Sequence, residues 1–321
     1  MNTYPRRDFI RHASVLTAAA AVLPGTSAFG GTFSAPARKF RMSLNPGSIG
    51  VSAGQKELPA LAQRFGFEAI VPIPGQLLAM NEAERQAFLA DMKSKNLSWD
   101  AAGLPIEFRQ GEQRFRDDLA KLPALAEITQ KVGASGMSTW IMPTHAELTY
   151  RKNFEQHRSR LKETANILGH YGLKLGLEYV GPKTLMARDK FAFIRSMKET
   201  RELIEAIGEP NVGIQLDSFH WFCAGESVAD LLTLDRGDII TCDLNDARSG
   251  FTADQQEDGK RELPSATGVI DLKAFLAALI QIGYDGPVRA EPFNAALNEM
   301  DNEAALKATY TAMKKAFDLV G

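Results

Sequence analysis

The segment KLGLEY, Lys174–Tyr179, is a short apolar run that ends in a carboxylate and a tyrosine. It follows the amphipathic stretch His157–His170, and Gly172 lies between the two. Glycine readily adopts the left-handed backbone conformation in which many helices end. The segment therefore predicts a helix, a tight turn and then a buried strand.

The same alternation runs along most of the chain. Further helix-like stretches end at Gly66, Gly133 and Gly283. The eight apolar runs are Phe40–Leu44, Ala69–Ile73, Leu97–Ala101, Ser138–Met142, Lys174–Tyr179, Val212–Leu216, Ile239–Leu244 and Pro287–Glu291. Strands that alternate with helices are typical of α/β folds, and eight such units in about 290 residues predict one (β/α)8 TIM barrel over residues 38–321. Because GxGxxG and P-loop glycine patterns are absent, a doubly wound sheet is the weaker alternative.

The first 30 residues differ from the rest of the chain. The pair Arg6-Arg7 precedes the uncharged stretch Ala13–Leu23 and a group of small residues that ends near Ala28. This order is typical of a secretory signal, and its apolar part is too short to span a bilayer. The arginine pair is similar to a twin-arginine export signal. We therefore predict a signal peptide over residues 1–30, a periplasmic or secreted protein, and no stable membrane association after cleavage.

The composition gives no sign of nucleic-acid binding or of a disulfide-dependent fold. The net charge of −2 provides no basic surface for nucleic acid. Two cysteines, Cys223 and Cys242, are too few for a disulfide-dependent fold, so we predict two buried small hydrophobic residues and leave a single bridge open. His157 and His170 lie on a predicted helix, and we expect both at the surface.

Four carboxylates lie at or near the ends of four consecutive predicted strands: Glu178, Asp217, Asp243 and Glu291. A closed barrel brings these ends together, and active sites of such barrels lie there. Four acidic groups in one pocket repel each other, and a divalent cation removes that repulsion. Oxygen ligands favour Mn²⁺, Mg²⁺ or Co²⁺. The alternative is that the four acids are unrelated and cap loops or pair with arginines.

Other side chains are candidates for substrate binding. Trp221, with Trp140 and Phe293, is predicted to form an apolar wall for a sugar ring, with core packing as the alternative. Arg289 is predicted either to reach the interior or to compensate the acidic cluster from beneath. The polar segment Arg248–Thr267 is expected to lie across the mouth of the barrel. The remaining candidates are Asn45 after the first strand, His145 after the fourth and Lys183 after the fifth.

These strand ends resemble the xylose-isomerase-like TIM-barrel superfamily, which contains sugar isomerases and epimerases. The resemblance covers residues 40 to 320 and is stronger in the second half. Its motifs are closest to members named inosose dehydratase or isomerase. The matching pieces are Leu177–Thr184, Leu216–Trp221, Asp243–Asp246, and Gly283–Pro287 leading to Glu291–Phe293.

The resemblance implies one divalent metal ion, Mn²⁺, Mg²⁺, Co²⁺ or Zn²⁺, held by Glu178, Asp217, Asp243 and Glu291. Asp243 departs from the family, which more often has a neutral ligand at that position. The resemblance also implies that Glu178 and Glu291 exchange protons with opposite faces of the substrate and that His220 contacts either the substrate or a metal-bound water. It favours a homo-oligomer, although no interface is readable from the sequence.

The predicted function follows from these residues and from the resemblance. We expect an isomerase or epimerase that acts on a keto-sugar or a cyclic polyol ketone by proton transfer through a metal-stabilised enediolate. The first alternative is a dehydratase that expels a hydroxyl from a keto-inositol or keto-sugar. The second is a non-catalytic periplasmic carbohydrate-binding protein with the same barrel.

Overall fold

The computed structural model describes residues 37–321, and its central feature is a ring of parallel strands. Each pair of neighbouring strands in the ring is parallel. The eight strands are Arg41–Leu44, Ala69–Ile70, Ser98–Trp99 continued by Ala102–Gly103, Gly136–Ile141, Lys174–Tyr179, Val212–Asp217, Ile239–Leu244 and Pro287–Ala290. The predicted α/β TIM barrel is confirmed.

The third strand closes the ring. Its first half, Ser98–Trp99, pairs with the second strand, Ala69–Ile70. Its second half, Ala102–Gly103, pairs with Met137 and Ser138 of the fourth strand. These two halves are the two edges of the sheet and belong to one short chain segment. The carboxyl ends of all eight strands therefore surround one opening.

The second strand is shorter than the sequence indicates. The apolar run Ala69–Ile73 contributes only Ala69–Ile70 to the sheet. Pro72 has no N–H group to donate to a neighbouring strand, and Pro74 begins the helix Pro74–Ala79. The residues after Ile70 are thus free to form an arch at the mouth of the barrel.

Helices flank the ring on its outside. The predicted helix ends at Gly66, Gly133, Gly172 and Gly283 are confirmed by positive φ angles of 89°, 85°, 67° and 78°. The helices are Leu58–Phe65, Pro74–Ala79, Glu82–Ser94, Glu112–Leu119, Leu122–Lys131, Tyr150–His170, Lys183–Met186, Met197–Ile207, Ser218–Ala224, Val228–Leu231, Leu272–Ile282, Ala295–Asn298 and Asn302–Phe317.

The predicted export signal over residues 1–30 lies outside the described residues. Within residues 37–321, none of the helices has the length and apolar character that a bilayer crossing requires.

Both cysteines are buried and unpaired. Cys223 lies on the helix Ser218–Ala224, and Cys242 lies in the seventh strand. Their prediction as small buried residues is confirmed, and no bridge joins them.

His157 is buried, so the predicted surface position of this residue is wrong, whereas His170 is exposed as predicted. The ring of His157 packs against Phe108 and Phe193, with centroid distances of 5.2 and 4.8 Å. Its Nδ1 lies 2.9 Å from the carbonyl oxygen of Asn153, and its Nε2 has no hydrogen-bond partner. Burial lowers the pKa of His157 to about 3, so the ring is neutral at neutral pH.

The buried, neutral His157 predicts an acid-dependent loss of stability. In the unfolded chain its pKa is about 6.5, so unfolding takes up a proton below that pH. The stabilising contribution is complete above pH ~6.5 and decreases as the pH falls towards the folded-state pKa. We expect a loss of about 2 kcal/mol between pH ~7 and pH ~5 in urea unfolding. His157→Leu should flatten this acid limb, and His170→Gln on the same helix should not. An unchanged limb in His157→Leu contradicts the prediction.

Candidate active site

The barrel brings the four predicted carboxylates together. Glu178 and Asp243 lie near the ends of the fifth and seventh strands, Asp217 ends the sixth, and Glu291 follows the eighth. Asp217 is in register with Asp243, and Asp243 is in register with Arg289 on the next strand. A cavity of about 830 Å³ opens at this end of the barrel and is lined by both glutamates.

Glu178 is the carboxylate without a compensating partner. Its side chain is 5% exposed, and its buried Oε1 has no hydrogen-bond partner. Burial raises the pKa of Glu178 well above its ordinary value, and the negative charges of Glu291, Asp217 and Asp243 raise it further. A buried oxygen of this kind has a high free energy unless a proton or a cation reaches it.

Asp217 is fully buried, and both of its carboxylate oxygens accept hydrogen bonds. Its Oδ1 accepts from the backbone N–H of Phe219 at 2.6 Å, because Asp217 is the N-cap of the helix Ser218–Ala224. The side-chain amide of Asn245 lies 3.1 and 3.2 Å from its two oxygens. Burial raises the pKa of Asp217 to about 6, although Arg261 opposes the shift. The local fold therefore positions this carboxylate before any ligand binds.

Arg261 is a functional candidate that the sequence reasoning missed. Its guanidinium is buried, and Nη1 donates to Asp217 Oδ2 at 2.8 Å and to Glu291 Oε2 at 3.2 Å. Nη2 donates to Asp258 Oδ1 at 2.7 Å. Arg261 belongs to the segment Arg248–Thr267, which was expected across the barrel mouth. The sequence does show that a loop with basic residues follows an acidic strand end. It does not show which of those basic residues points towards the acids.

The carboxylate of Asp243 is paired with Arg289 on the neighbouring strand. Arg289 donates from Nε to Asp243 Oδ1 at 2.7 Å and lies 3.3 Å from Oδ2 through Nη2. Gln215 donates to Asp243 Oδ2 at 2.8 Å. The other side of Arg289 lies 3.7 Å from Asp100 Oδ2. Both oxygens of Asp243 are therefore engaged by side chains, unlike those of Glu178.

His220 faces the same cluster. Its Nε2 lies 3.9 Å from Glu178 Oε1, 4.0 Å from Asp217 Oδ2 and 3.1 Å from Arg261 Nη2. Burial lowers the pKa of His220 to about 3, and the charge of Arg261 lowers it further. The ring is therefore neutral, and both of its nitrogens face N–H groups: Arg261 Nη2 lies beside Nε2, and the backbone N–H of Gly181 lies 3.3 Å from Nδ1. The one nitrogen of a neutral imidazole that carries no proton can accept a hydrogen bond or bind a metal ion.

Glu291 completes the acidic end of the cavity. Its side chain is 15% exposed, and its backbone N–H donates to Asn245 Oδ1 at 2.8 Å. Burial raises the pKa of Glu291 to about 8, and Asp243 adds to the shift. Glu291 is thus a carboxyl group that can hold a proton near neutral pH.

Three predicted substrate contacts lie away from the cavity lining. Trp221 points into the core, where its Nε1 donates to the carbonyl of Ser227 at 3.1 Å, because the helix turns its side chain away from that of His220. His145 accepts from two backbone N–H groups of its own loop at 2.9 and 3.0 Å. Lys183 forms a half-exposed ion pair with Asp254 at 2.6 Å.

Five other predicted residues do line the cavity. Asn45 lies at its edge after the first strand, and His220 and Arg289 lie at the acidic end. Trp140 and Phe293 are each 40% exposed and contribute aromatic surface. The predicted apolar wall thus contains Trp140 and Phe293, whereas Trp221 belongs to the core.

The donor set fits a divalent cation. Glu178, Asp217 and His220 can each offer a ligand atom within 4.8 Å of the others, and so can Glu178, Asp243 and Glu291. The first group contains the unpartnered Oε1 of Glu178 and a neutral imidazole. An arginine engages one carboxylate in each group, Arg261 at Asp217 and Arg289 at Asp243, but only the first group is buried at all three residues. The buried Glu178–Asp217–His220 triad is therefore the candidate metal site.

Arg261 provides a test of charge compensation in this site. In chelator-treated protein, Arg261→Met should lower the free energy of unfolding by about 1–3 kcal/mol, because Asp217 and Glu291 lose a charged donor. Added Mn²⁺ should reduce that loss, since a bound cation compensates the same carboxylates. Lys260→Met, which removes the neighbouring exposed cation, should change stability by less than about 0.5 kcal/mol. Equal losses with and without Mn²⁺ contradict this interpretation.

The fold and the cluster define a TIM barrel with a candidate metal site at its strand ends. Residues 59–316 match the family described as xylose isomerase-like TIM barrel, so the chain belongs to that family. The chain is 24% identical over 199 residues to an inosose isomerase of Bacillus velezensis, a match that covers 61% of this chain and 67% of that protein. Matches to curated inosose isomerases span 50 to 67% of their length.

Solved structures have the same fold. A xylose isomerase domain protein from Alicyclobacillus acidocaldarius is similar with a TM-score of 0.76 and 30% identity, covering 88% of this chain and 99% of that chain. The IOLI protein, whose crystal structure contains a bound zinc atom, is similar with a TM-score of 0.71 and 19% identity, again covering 88% and 99%. The second likeness shows the fold alone.

Proposed function

We propose that this chain is a divalent-metal-dependent isomerase or epimerase that moves a proton at the carbon next to a ketone of a sugar or cyclic polyol. The observation that carries the proposal is the buried, unpartnered Oε1 of Glu178, which lines the cavity together with His220 and lies beside the fully buried Asp217. Similarity to curated proteins named inosose isomerase and ketose 3-epimerase supports the reaction class.

The residues proposed to hold the cation are Glu178, Asp217 and His220, with Glu291 beside them at the cavity wall. His220 is proposed as the neutral ligand, and Asp243, whose two oxygens are bound by Arg289 and Gln215, is proposed to lie outside the donor set. When bound, the cation supplies Lewis-acid stabilisation of the negative charge that develops on the carbonyl oxygen.

Glu178 and Glu291 are proposed as the acid–base pair. Both line the cavity, and burial raises the pKa of both carboxyl groups. A carboxylate that faces the α-carbon can take a proton as a base and return it as an acid, which is what an epimerase requires of its two bases. If one glutamate takes the proton and the other returns it to the opposite face, the product is an epimer. Return of the proton to the neighbouring carbon gives the isomer.

Arg261 is proposed to orient the substrate oxygens and to limit the access of water. Its segment folds over the acidic end, and its guanidinium lies 4.7 Å from the ring centroid of Phe293 and 5.1 Å from that of Phe219. A water-poor site strengthens the electrostatic interactions on which proton transfer depends.

The direct test is solvent exchange. Protein prepared with each of Mn²⁺, Mg²⁺, Co²⁺ and Zn²⁺ is incubated in D₂O with a panel of keto-sugars and keto-inositols, and nuclear magnetic resonance follows deuterium at the α-carbon. Exchange with a new stereocentre or a shifted carbonyl supports the proposal, whereas exchange with loss of a hydroxyl identifies the dehydratase. Absence of exchange with every metal contradicts the proposal and favours the carbohydrate-binding alternative.

We also propose export by the signal over residues 1–30. A fusion of these residues to a reporter, compared with the same fusion carrying Arg6→Lys and Arg7→Lys, tests this directly. If the reporter reaches the periplasm only when the arginine pair is intact, the proposal is supported. If both fusions reach the periplasm equally, the proposal is contradicted.

A further inference from the structure

The cavity has two chemically different ends. The fifth to eighth strands and their loops provide its charged residues, among them Glu178, Arg261 and Glu291. The opposite end is built by the second, third and fourth strands and the helix before the fourth. Among the described residues that line this second end, no side chain carries a charge.

The apolar end is built around an arch, defined here as Val71–Gly75, that follows the second strand. Several of its polar backbone groups are already bound by neighbouring segments of the chain. The N–H of Ile73 donates to Gln55 Oε1 at 2.5 Å, and the carbonyl of Ile73 accepts from the N–H groups of Gln76 and Leu77 at 2.9 and 3.0 Å. Pro72 and Pro74 have no N–H at all. The arch therefore offers few partners to a substrate hydroxyl.

This end of the cavity is largely apolar, although two hydroxyl side chains line it. Ser138 and Thr139 line the cavity beside Trp140, but Thr139 Oγ1 already lies 3.2 Å from Arg109 Nη1. The same guanidinium lies 3.9 Å from the ring centroid of Trp140 and donates to the Trp140 carbonyl at 2.9 Å. The indole is thus held in place by a cation while part of its surface remains open to the cavity.

A free polyol fits this end poorly. Hydroxyl groups placed against an apolar wall lose hydrogen bonds to water and gain none from the protein. The cavity of about 830 Å³ also lies near the upper end of the range of about 300–1,000 Å³ that is usual for drug-sized ligands. A single sugar ring at the acidic end leaves the apolar end unfilled.

We infer that the substrate is a keto-sugar or keto-cyclitol that carries an apolar, aromatic substituent, as in an aryl glycoside. Its oxygenated ring lies at the acidic end, and the aromatic group lies against the arch and Trp140. This inference rests on the proposed function only for the ketone at the acidic end. The preference for an aromatic substituent follows from the apolar end itself.

Binding of unreactive probes tests the inference without any turnover. Calorimetric titration of the full chain with phenyl β-D-glucoside and with methyl β-D-glucoside compares an aryl with a small aglycone on the same sugar. We expect phenyl glucoside to bind about tenfold more tightly or better, because burial of the phenyl group stabilises the complex. Trp140→Ala combined with Ile73→Ser should reduce its affinity to that of methyl glucoside. Phe251→Ala, at an exposed phenylalanine outside the cavity lining, should leave both affinities unchanged.

Equal affinity for the two glucosides overturns the inference, and so does a phenyl preference that survives in the Trp140→Ala, Ile73→Ser variant. Circular dichroism of the variant establishes that it is folded. The solvent-exchange experiment separates the two proposals. Exchange on keto-sugars without a phenyl preference supports the proposed function and contradicts this inference. A phenyl preference without exchange on any ketone supports this inference and contradicts the proposed function.

Discussion

Replacement of both Glu178 and Glu291 by glutamine is expected to abolish metal retention and to slow α-proton exchange by about a thousandfold or more. Glutamine preserves the shape of each side chain but removes the base and two negative charges from the site. The first measurement is the metal content of purified protein, in which we expect about one equivalent of divalent ion in the parent chain and almost none in the variant. Exchange in D₂O then measures the loss of rate.

The stability of the metal-free proteins provides a second, independent readout. Glu178 has a buried oxygen without a partner, so Glu178→Gln should leave the free energy of unfolding unchanged or increase it. Glu68→Gln is the matched control, because Glu68 pairs with Arg38 at 3.0 Å ahead of the second strand. The control should retain metal and activity. A Glu178→Gln variant that is strongly destabilised without metal would identify Glu178 as a structural residue instead.

Replacement of Arg289 by methionine is expected to lower the free energy of unfolding by about 3–5 kcal/mol, the loss that follows when one partner of a buried ion pair is removed. Asp243 and Asp100 are almost fully buried, and both lie beside this guanidinium. Without it, Asp243 retains only the donor from Gln215. Urea denaturation at neutral pH measures the change.

A double variant shows whether the charge of Asp243 causes the loss. Asp243→Asn combined with Arg289→Met should recover a large part of the stability, because no unpaired buried charge remains at position 243. Arg236→Met is the surface control, since its partner Asp285 is half-exposed, and it should change stability by less than about 1 kcal/mol. A double variant that is as unstable as Arg289→Met would contradict this assignment.

The two predictions describe two layers of one acidic cluster. In the lower layer, Arg289 donates to both oxygens of Asp243 and lies 3.7 Å from Asp100 Oδ2. In the upper layer, Arg261 donates to Asp217 and Glu291, whereas the buried Oε1 of Glu178 has no partner. A buried polar atom that remains unpaired at the expense of stability is typical of a functional site. The distinction explains why four carboxylates that look equivalent in the sequence are expected to respond differently to mutation.

The sequence alone determined the barrel and the location of its site. Eight apolar runs separated by helices that end at glycine predict parallel strands, and closure of those strands brings together residues that follow them. Glu178, Asp217, Asp243 and Glu291 could be found because each lies within a residue or two of a strand end, so that their meeting depends on local structure and on closure alone. The extent of the second strand was overestimated, because hydrophobicity does not report the hydrogen bonds that Pro72 cannot make.

Only the tertiary structure decided which side chains pair with one another at the strand ends of the barrel. Arg289 neutralises Asp243 because the register of the seventh and eighth strands places them side by side, and a choice between partners depends on distances of a few ångströms. Arg261 reaches the acids through a long loop that has many conformations of similar local energy, so no sequence pattern selects this arginine over its neighbours. Trp221 and Trp140 have equally apolar side chains, but the helix turns one into the core while the strand presents the other to the cavity. Strand ends follow from local periodicity, whereas pairing and side-chain direction follow from packing between segments distant in the chain.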